Sequence, residues 1–286
     1  LNELLVVGNG PAGISAAIYA ARAGINTMVI GRDGGALSKA GQVENYYGLE
    51  EPVSGKSLID TGILQAKRLG IKILEDEVVG IGYENGFGVK TTHGEYHAKS
   101  IILATGAGRT TPKIEGFEQF DGKGISYCAV CDAFFHRGKD VAVLGSGEYA
   151  ISEAMELLPV AKSVTILTNG EVPSIVIPPE LKVETKKIAA FTGDEILNGV
   201  KLQDGTSLSL SGVFVAIGVA GSSDLARKLG AEVSGKKIVV NDAMETGIPG
   251  LFAAGDCTGG LLQIAKAVYQ GAVAGTEATK FLRSRK

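Results

Sequence analysis

Apolar residues fall along the chain in short blocks separated by glycine-rich breaks, the spacing of alternating strands and helices. Glu3 to Val7 reads as a strand. It runs into Gly8-Asn9-Gly10-Pro11-Ala12-Gly13, then an alanine-rich helical stretch to about Ala23 and a second strand over Asn26 to Ile30, which together make a βαβ unit. Strand-like segments recur at Glu77 to Gly82, Gly88 to Thr92 and Ser100 to Ala104. The plan then restarts: Asp140 to Leu144 is strand-like, Gly145-Ser146-Gly147 is a turn, Glu148 to Leu158 is helical and Ser163 to Leu167 is a strand. Shorter alternating segments near Ile196 to Leu202 and Ser207 to Leu210 precede the apolar run Val213 to Ile217. Gly250 to Asp256 leads into a helix from about Leu262 to Leu282, apolar enough that it must pack on something large. The helix is expected to return to the first domain. The organisation implied is a discontinuous domain of residues 1–112 and 243–286, with 113–242 inserted. The fold class is α/β, two Rossmann-like three-layer nucleotide-binding domains, the second inserted in the first.

A length of 286 residues favours two domains over one. The 41 glycines have no collagen-like period and fit many tight strand-to-helix turns. With 28 basic and 31 acidic residues the net charge is −3, and no basic stripe points to nucleic acid. The uncharged run Leu4 to Ala21 is broken by Gly8, Gly10, Pro11 and Gly13 into strand, turn and helix, so it does not predict a membrane span. No positively charged stretch precedes it, no secretory signal is read, and a cytoplasmic location is expected. Three cysteines, a Cys-x-x-Cys and Cys257, supply neither a disulfide framework nor a second pair for a zinc site.

Two patterns carry candidate chemistry. The first glycine turn follows a strand and opens a helix, where glycines let the backbone approach a pyrophosphate and the helix start offers unpaired N–H groups. Alone, such a motif is matched by a purely structural glycine turn. The usual acidic ribose partner after the second strand is missing, because Gly31 and Arg32 stand there, with Asp33 close by as a substitute. The second pattern is Cys128-Ala129-Val130-Cys131-Asp132. Two thiols at this spacing can form an easily reduced disulfide, and Asp132 can supply or accept the proton of thiol exchange. Half a zinc site or two buried core cysteines is the competing reading.

Taken together, Gly8 to Gly13, Val43-Glu44-Asn45, Ala104-Thr105-Gly106-Ala107, Cys128 to Asp132 followed by Phe134-Phe135, and Gly255-Asp256 resemble, in order and spacing, the low-molecular-weight thioredoxin reductases. The resemblance covers nearly the whole chain. It implies domains of the FAD/NAD(P)-binding type, a homodimer, FAD as cofactor and thioredoxin as partner. It implies that Cys131 faces the flavin, Cys128 attacks the thioredoxin disulfide and Asp132 donates the proton. It further implies FAD contacts from Gly8, Gly10, Pro11, Ala12, Gly13, Arg32, Gly35, Ala36, Asn45, Val78, Thr105, Gly106, Gly255, Asp256, Gln263, Ile264 and Ala265. The Arg-Gln pair that the family places before that alanine is not intact, because Leu262-Gln263-Ile264-Ala265 stands there. The final helix, starting after Gly259-Gly260, would aim its positive end at the flavin.

The chain departs from this family at its second glycine turn, Gly145-Ser146-Gly147-Glu148-Tyr149-Ala150. A 2′-phosphate demands cations, yet Leu167-Thr168-Asn169-Gly170-Glu171-Val172-Pro173-Ser174 holds no Arg, Lys or His, and the stretch from about Leu167 to Asp194 is shorter than the family norm. Glu171 would repel phosphate, although it could accept bonds from an NADH ribose. Tyr149 places a ring where small residues line the nucleotide path, or is simply packed. The turn is read as a structural remnant in preference to a working nicotinamide site. The pattern is similar to the ferredoxin-dependent flavin thioredoxin reductases, and reduced ferredoxin becomes the expected donor. An iron–sulfur donor near roughly −400 mV feeding thioredoxin near roughly −270 mV releases about 6 kcal/mol per electron pair. Turnover is expected to require rotation of the two domains about crossings near Pro112 and Ala243.

Three rival readings stand beside this one: an NADH- or NADPH-dependent thioredoxin reductase, an oxygen-dependent dithiol oxidase of the same fold, and a non-enzymatic flavin redox sensor. Arg283, Arg285 and Lys286 form a basic tail that could attract an acidic partner, with a solvated helix end as the plainer reading. Cys257 is expected to be a buried filler, and His93, His97 and His136 show no metal spacing.

Overall fold

In a computed structural model, residues 2–106, 112–173 and 175–285 are described. Ala107, Ser174 and Lys286, singled out above, lie outside the described residues. The chain divides into two compact units, Leu1–Gly108 with Gly221–Lys286, and Arg109–Ala220.

The first unit opens with β1 (Asn2–Val7), α1 (Pro11–Arg22) and β2 (Thr27–Ile30), the strands parallel in register from Leu4 opposite Thr27 to Val7 opposite Ile30. Four consecutive buried residues, Leu4 to Val7, mark a strand covered on both faces. Helix α2 (Gly55–Arg68) follows, its start fixed by Ser54, whose Oγ accepts the Ser57 N–H at 3.1 Å. Next come β3 (Lys72–Leu74), β4 (Val78–Tyr83), β5 (Phe87–Thr91) and β6 (Glu95–Leu103). The last is longer than the sequence suggests, because its polar first half pairs antiparallel with β5 while its apolar second half pairs parallel with β1.

The second unit repeats the plan. It contains β7 (Ile125–Ser126), α3 (Ala129–Asp132), β8 (Asp140–Leu144), α4 (Glu148–Leu157), β9 (Ser163–Leu167) and β10 (Lys182–Glu184). The meander β11 (Ile188–Gly193), β12 (Leu197–Leu202) and β13 (Ser207–Ser209) comes before β14 (Gly212–Val215). Its parallel sheet runs β10-β9-β8-β14-β7, with the meander as a separate antiparallel sheet.

The chain then adds α5 (Ser222–Lys228), β15 (Val233–Ser234), β16 (Lys237–Ile238), β17 (Leu251–Ala253) and α6 (Ile264–Arg283) to the first unit. The first sheet is ordered β3-β2-β1-β6-β5-β4, and β17 joins β6 beside β5. The sequence places the return crossing near Ala243, whereas residues from Gly221 onward already belong to the first unit. The reason is local: Thr105 N–H donates to Ser222 Oγ at 2.9 Å and Ser222 N–H donates back to Thr105 Oγ1 at 2.8 Å. Helix α6 lies against α1 along a seam of small residues. A Cβ added to Gly271 would come within 2.1 Å of the Ala12 carbonyl oxygen, and Ser15 Oγ donates to the Val268 carbonyl at 2.8 Å. At the far end, Arg283 donates to the Ala23 carbonyl at 2.6 Å and Arg285 lies over the Phe281 ring, so those two basic residues of the tail are engaged within the unit. No helix among the described residues is long and apolar enough to cross a membrane.

Candidate active site: a nucleotide cradle and a dithiol turn

The first glycine turn is built for close approach. Gly8 has φ 115°, and its N–H donates to the Ile30 carbonyl at 2.7 Å. A Cβ at Gly13 would lie 1.9 Å from the Gly8 carbonyl oxygen, so only glycine lets α1 sit this near β1. Gly10 differs: an added Cβ would meet nothing nearer than the Gly34 oxygen at 4.0 Å, which leaves open space directly in front of the helix start. That start has no side-chain cap, Pro11 at its first turn and no acidic residue there. Its backbone N–H groups and positive dipole end therefore face a volume suited to a pyrophosphate, and the residues present fit a bound dinucleotide.

The other first-unit positions are fixed by contacts of their own. Asn9 Nδ2 donates to the Gly31 carbonyl at 3.4 Å, and a Cβ at position 31 would collide with the Asn9 side chain, which explains glycine where an acid was expected. Asp33 is committed elsewhere: one oxygen accepts the Gly35 N–H at 2.9 Å and the other pairs with Arg32 at 3.5 Å. Arg32 also bonds Glu77 at 3.1 Å, which sets it beside Val78. Gly35 and Ala36 open a short 3-10 turn over Gly35–Lys39. Thr105 is held by Ser222, with Gly106 following at φ 82°. Asn45 Nδ2 donates to Gln263 Oε1 at 3.0 Å, joining two positions far apart in sequence at the start of α6. Ile264 and Ala265 form the first turn of that helix, which has no side-chain cap.

Gly255 and Asp256 are braced by side chains that sequence reasoning did not single out. Gly255 N–H donates to Gln270 Oε1 at 2.9 Å. Lys266 donates to the Gly255 carbonyl at 2.9 Å, to Thr258 Oγ1 at 3.3 Å and to the Gly259 carbonyl. Burial raises the Asp256 carboxyl above its ordinary range, partly offset by Lys266, and burial likewise lowers the Lys266 ammonium. A lysine in the first turn of a helix opposes the dipole, and that anomaly was the available signal. Cys257 is buried beside them, its thiol pushed up to about 11 by desolvation.

In the second unit Cys128 and Cys131 form a disulfide. Helix α3 is capped at its start by Cys128, whose Sγ accepts the Cys131 N–H at 3.2 Å. Ser126 accepts the Cys128 N–H at 3.1 Å and donates to Asp132 Oδ2 at 2.6 Å, fixing the proposed proton donor to the strand that precedes the turn. Ala129 N–H donates to Glu153 of α4 at 2.9 Å. Cys128 is buried and Cys131 lies at the surface, flanked by Phe134 and Phe135, each 69% exposed. Half-buried His136 is lowered below its ordinary pKa by burial and by Lys139, and its Nδ1 lies 3.0 Å from Ser211 Oγ.

The second glycine turn has the shape of the first but, unlike it, carries acidic side chains. Gly145 N–H bonds the Leu167 carbonyl at 3.0 Å, and α4 begins without a side-chain cap. Its first turn carries Glu148, however, and Ser146 Oγ donates to Glu171 Oε2 at 2.6 Å. Two carboxylates therefore stand at this turn. Tyr149 is fully buried, so its ring belongs to the core and does not line a nucleotide path, contrary to the first of its two sequence readings. Lys187 was missed: its stem crosses Gly170, where a Cβ would lie 2.6 Å from Lys187 Cγ.

Two glycine-turn α/β units and a redox-capable disulfide define a flavoprotein disulfide reductase. Residues 2–271 match the pyridine nucleotide-disulphide oxidoreductase model, and the chain belongs to that family. Within it the chain falls among the thioredoxin reductases. It is 35% identical to the thioredoxin reductase of Aquifex aeolicus, over 99% of this chain and 94% of that protein. Among solved structures it is similar to the atypical thioredoxin reductase TRi from Desulfovibrio vulgaris Hildenborough, at 41% identity and TM-score 0.93 over 99% of both chains. It is also similar to a ferredoxin-flavin thioredoxin reductase from Clostridium acetobutylicum, at 30% identity and TM-score 0.71 over 99% of this chain and 98% of that one.

Proposed function

We propose that the protein reduces thioredoxin through FAD and the Cys128–Cys131 dithiol, and that reduced ferredoxin, not NADPH, supplies its electrons. The observation carrying the donor assignment is the second glycine turn, where Glu171 accepts from Ser146 and Glu148 occupies the first helical turn. The name of the Clostridium acetobutylicum neighbour supports the same donor.

FAD would be held by the α1 start at Gly10 to Gly13, by Arg32, Gly35, Ala36 and Val78 on one side, and by Asn45, Thr105, Gly106, Gly255, Asp256 and Gln263 to Ala265 on the other. When bound, it supplies the ability to accept single electrons and pass on a pair. The chain's own part is sulfur and proton chemistry. Two electrons and two protons open the Cys128–Cys131 bond. The Cys128 thiolate attacks the thioredoxin disulfide, releasing one thioredoxin thiolate, and Cys131 then displaces the second as the internal disulfide closes. Asp132, held by Ser126, delivers the proton that the leaving thiolate needs. Because Cys128 is buried, this assignment requires the turn to be uncovered before substrate attack.

The test is anaerobic addition of NADPH, NADH or reduced ferredoxin, separately, to the yellow protein, followed by thioredoxin and a count of new thiols. Flavin bleaching by ferredoxin alone, with thioredoxin thiols appearing, is expected. Rapid bleaching by NADPH overturns the donor assignment. A nicotinamide donor is the second reading, favoured by the cation that Lys187 brings to Gly170.

A further inference from the structure

The backbone of the dithiol turn is held in part by a side chain that the scheme above leaves unused. Cys128 N–H is taken by Ser126 and Cys131 N–H by Cys128 itself, but Ala129 N–H donates at 2.9 Å to Glu153 Oε2, which reaches in from α4. Glu153 is 1% exposed. Its neighbours on the buried face of that helix are Tyr149, Ala150, Ala154 and Leu157. A carboxyl is rarely buried unless its partners offset the desolvation, and here a known partner is the N–H next to the redox sulfur.

We propose that Glu153 is a positioning residue that sets the reducing strength of the Cys128–Cys131 pair. Backbone N–H groups and nearby positive charge favour a cysteine thiolate, and a stabilised thiolate makes the disulfide the stronger oxidant. In this turn the first such N–H is directed at a carboxyl, which in the proposed role acts as the carboxylate and places negative charge beside the amide that follows Cys128. Both effects disfavour the thiolate, hold the equilibrium toward the disulfide and make the reduced pair the better donor. That bias suits a reductase. The inference rests on Cys128–Cys131 being the working couple and on no particular donor or substrate.

The test equilibrates the flavin-loaded protein with graded ratios of reduced and oxidised dithiothreitol, quenches in acid, alkylates after unfolding and counts labelled cysteines by mass. Reduction breaks the S–S bond with two electrons and two protons from dithiothreitol, which closes to its cyclic disulfide. Glu153→Gln keeps an acceptor for Ala129 while removing the charge. It is expected to shift the equilibrium toward the dithiol about tenfold, equivalent to about 30 mV. Glu153→Asp keeps the charge and should stay within about threefold of the wild type. Coincident curves for Glu153→Gln and wild type, or equal shifts for the Gln and Asp variants, would overturn the proposal. If Glu153→Gln fails to fold, Glu153→Asn against Glu153→Asp makes the same comparison on a shorter side chain, with the same separation expected and coincidence overturning it. A wild-type disulfide that ignores the dithiothreitol ratio sinks the working-couple reading as well, whereas a responsive wild type matched by Glu153→Gln sinks this proposal alone.

Discussion

Replacing Gly13 by alanine should displace the first glycine turn and release the flavin, whereas the same change at Gly10 should release flavin from an intact fold. At Gly13 the new methyl would stand 1.9 Å from the Gly8 carbonyl oxygen and 3.2 Å from Val6 Cγ1. A tolerable C···O contact begins near roughly 3.3 Å, so β1 and α1 must part by about 1.4 Å. Overpacking of this kind costs about 1–3 kcal/mol, and the better helix propensity of alanine returns at most about 1 kcal/mol. The balance is a net loss of up to about 3 kcal/mol, centred near about 1.5 kcal/mol, and the N–H groups meant for a pyrophosphate move with the helix. At Gly10 the nearest atom is 4.0 Å away, so the fold should change by less than about 0.5 kcal/mol. Its methyl would instead enter the space left for the cofactor, weakening flavin binding about tenfold or more. Urea midpoints by circular dichroism report the fold, and the flavin-to-protein ratio after gel filtration reports binding. A Gly13→Ala protein with wild-type midpoint and full flavin would refute the reasoning, as would a Gly10→Ala protein that unfolds early.

Two further outcomes are expected. Ser126→Ala removes the donor to Asp132 and strands the Cys128 N–H, a cost of about 1–3 kcal/mol that should slow thioredoxin reduction about tenfold; turnover at the wild-type rate would show that the hydroxyl does not position the acid. Asp76 concerns pH: burial raises its carboxyl, but bonds from Thr92, His93 and the Glu77 N–H outweigh that and hold it well below the ordinary range, so its stabilisation is complete above the unfolded value of about 4 and is lost as pH falls toward the depressed one. Asp76→Asn should therefore destabilise the protein at neutral pH by about 1–3 kcal/mol, with the gap narrowing on acidification; urea curves showing an undiminished gap near about pH 3 would contradict this.

Much of the fold is legible in residue pattern alone. The two βαβ beginnings stand within a residue or two of where apolar runs and glycine breaks put them, because a four-residue apolar strand before a glycine turn has few other solutions. Helix α2 was not anticipated, although Ser54-Gly55-Lys56-Ser57 carries the capping signal, since only Gly55, Ile59 and Ala66 are buried and the face they define is narrow. Asn45 and Gln263, each assigned with Ala265 to the flavin by the family resemblance, are hydrogen-bonded to each other, a contact the sequence did not announce, while Ser222, Lys266, Ser126 and Glu153 carried no motif. Ser222 and Glu153 bond partners elsewhere in the chain, 117 and 24 residues away, while Lys266 and Ser126 each make several bonds at irregular short spacings, and no motif announces either kind.

The amino-acid order by itself determined that there are two strand–glycine–helix units, that two cysteines stand a turn apart, and that the stretch Leu167 to Ser174 holds no Arg, Lys or His. These are properties of neighbours in sequence, settled by backbone sterics and side-chain charge. Tertiary structure alone decided that residues from Gly221 rejoin the first unit, that Tyr149 is core, that Glu171 leans on Ser146 and that a buried carboxyl from α4 underlies the dithiol. Those outcomes depend on which surfaces the packed sheets bring within hydrogen-bonding distance, a matter of three-dimensional approach that the linear spacing of residues does not encode.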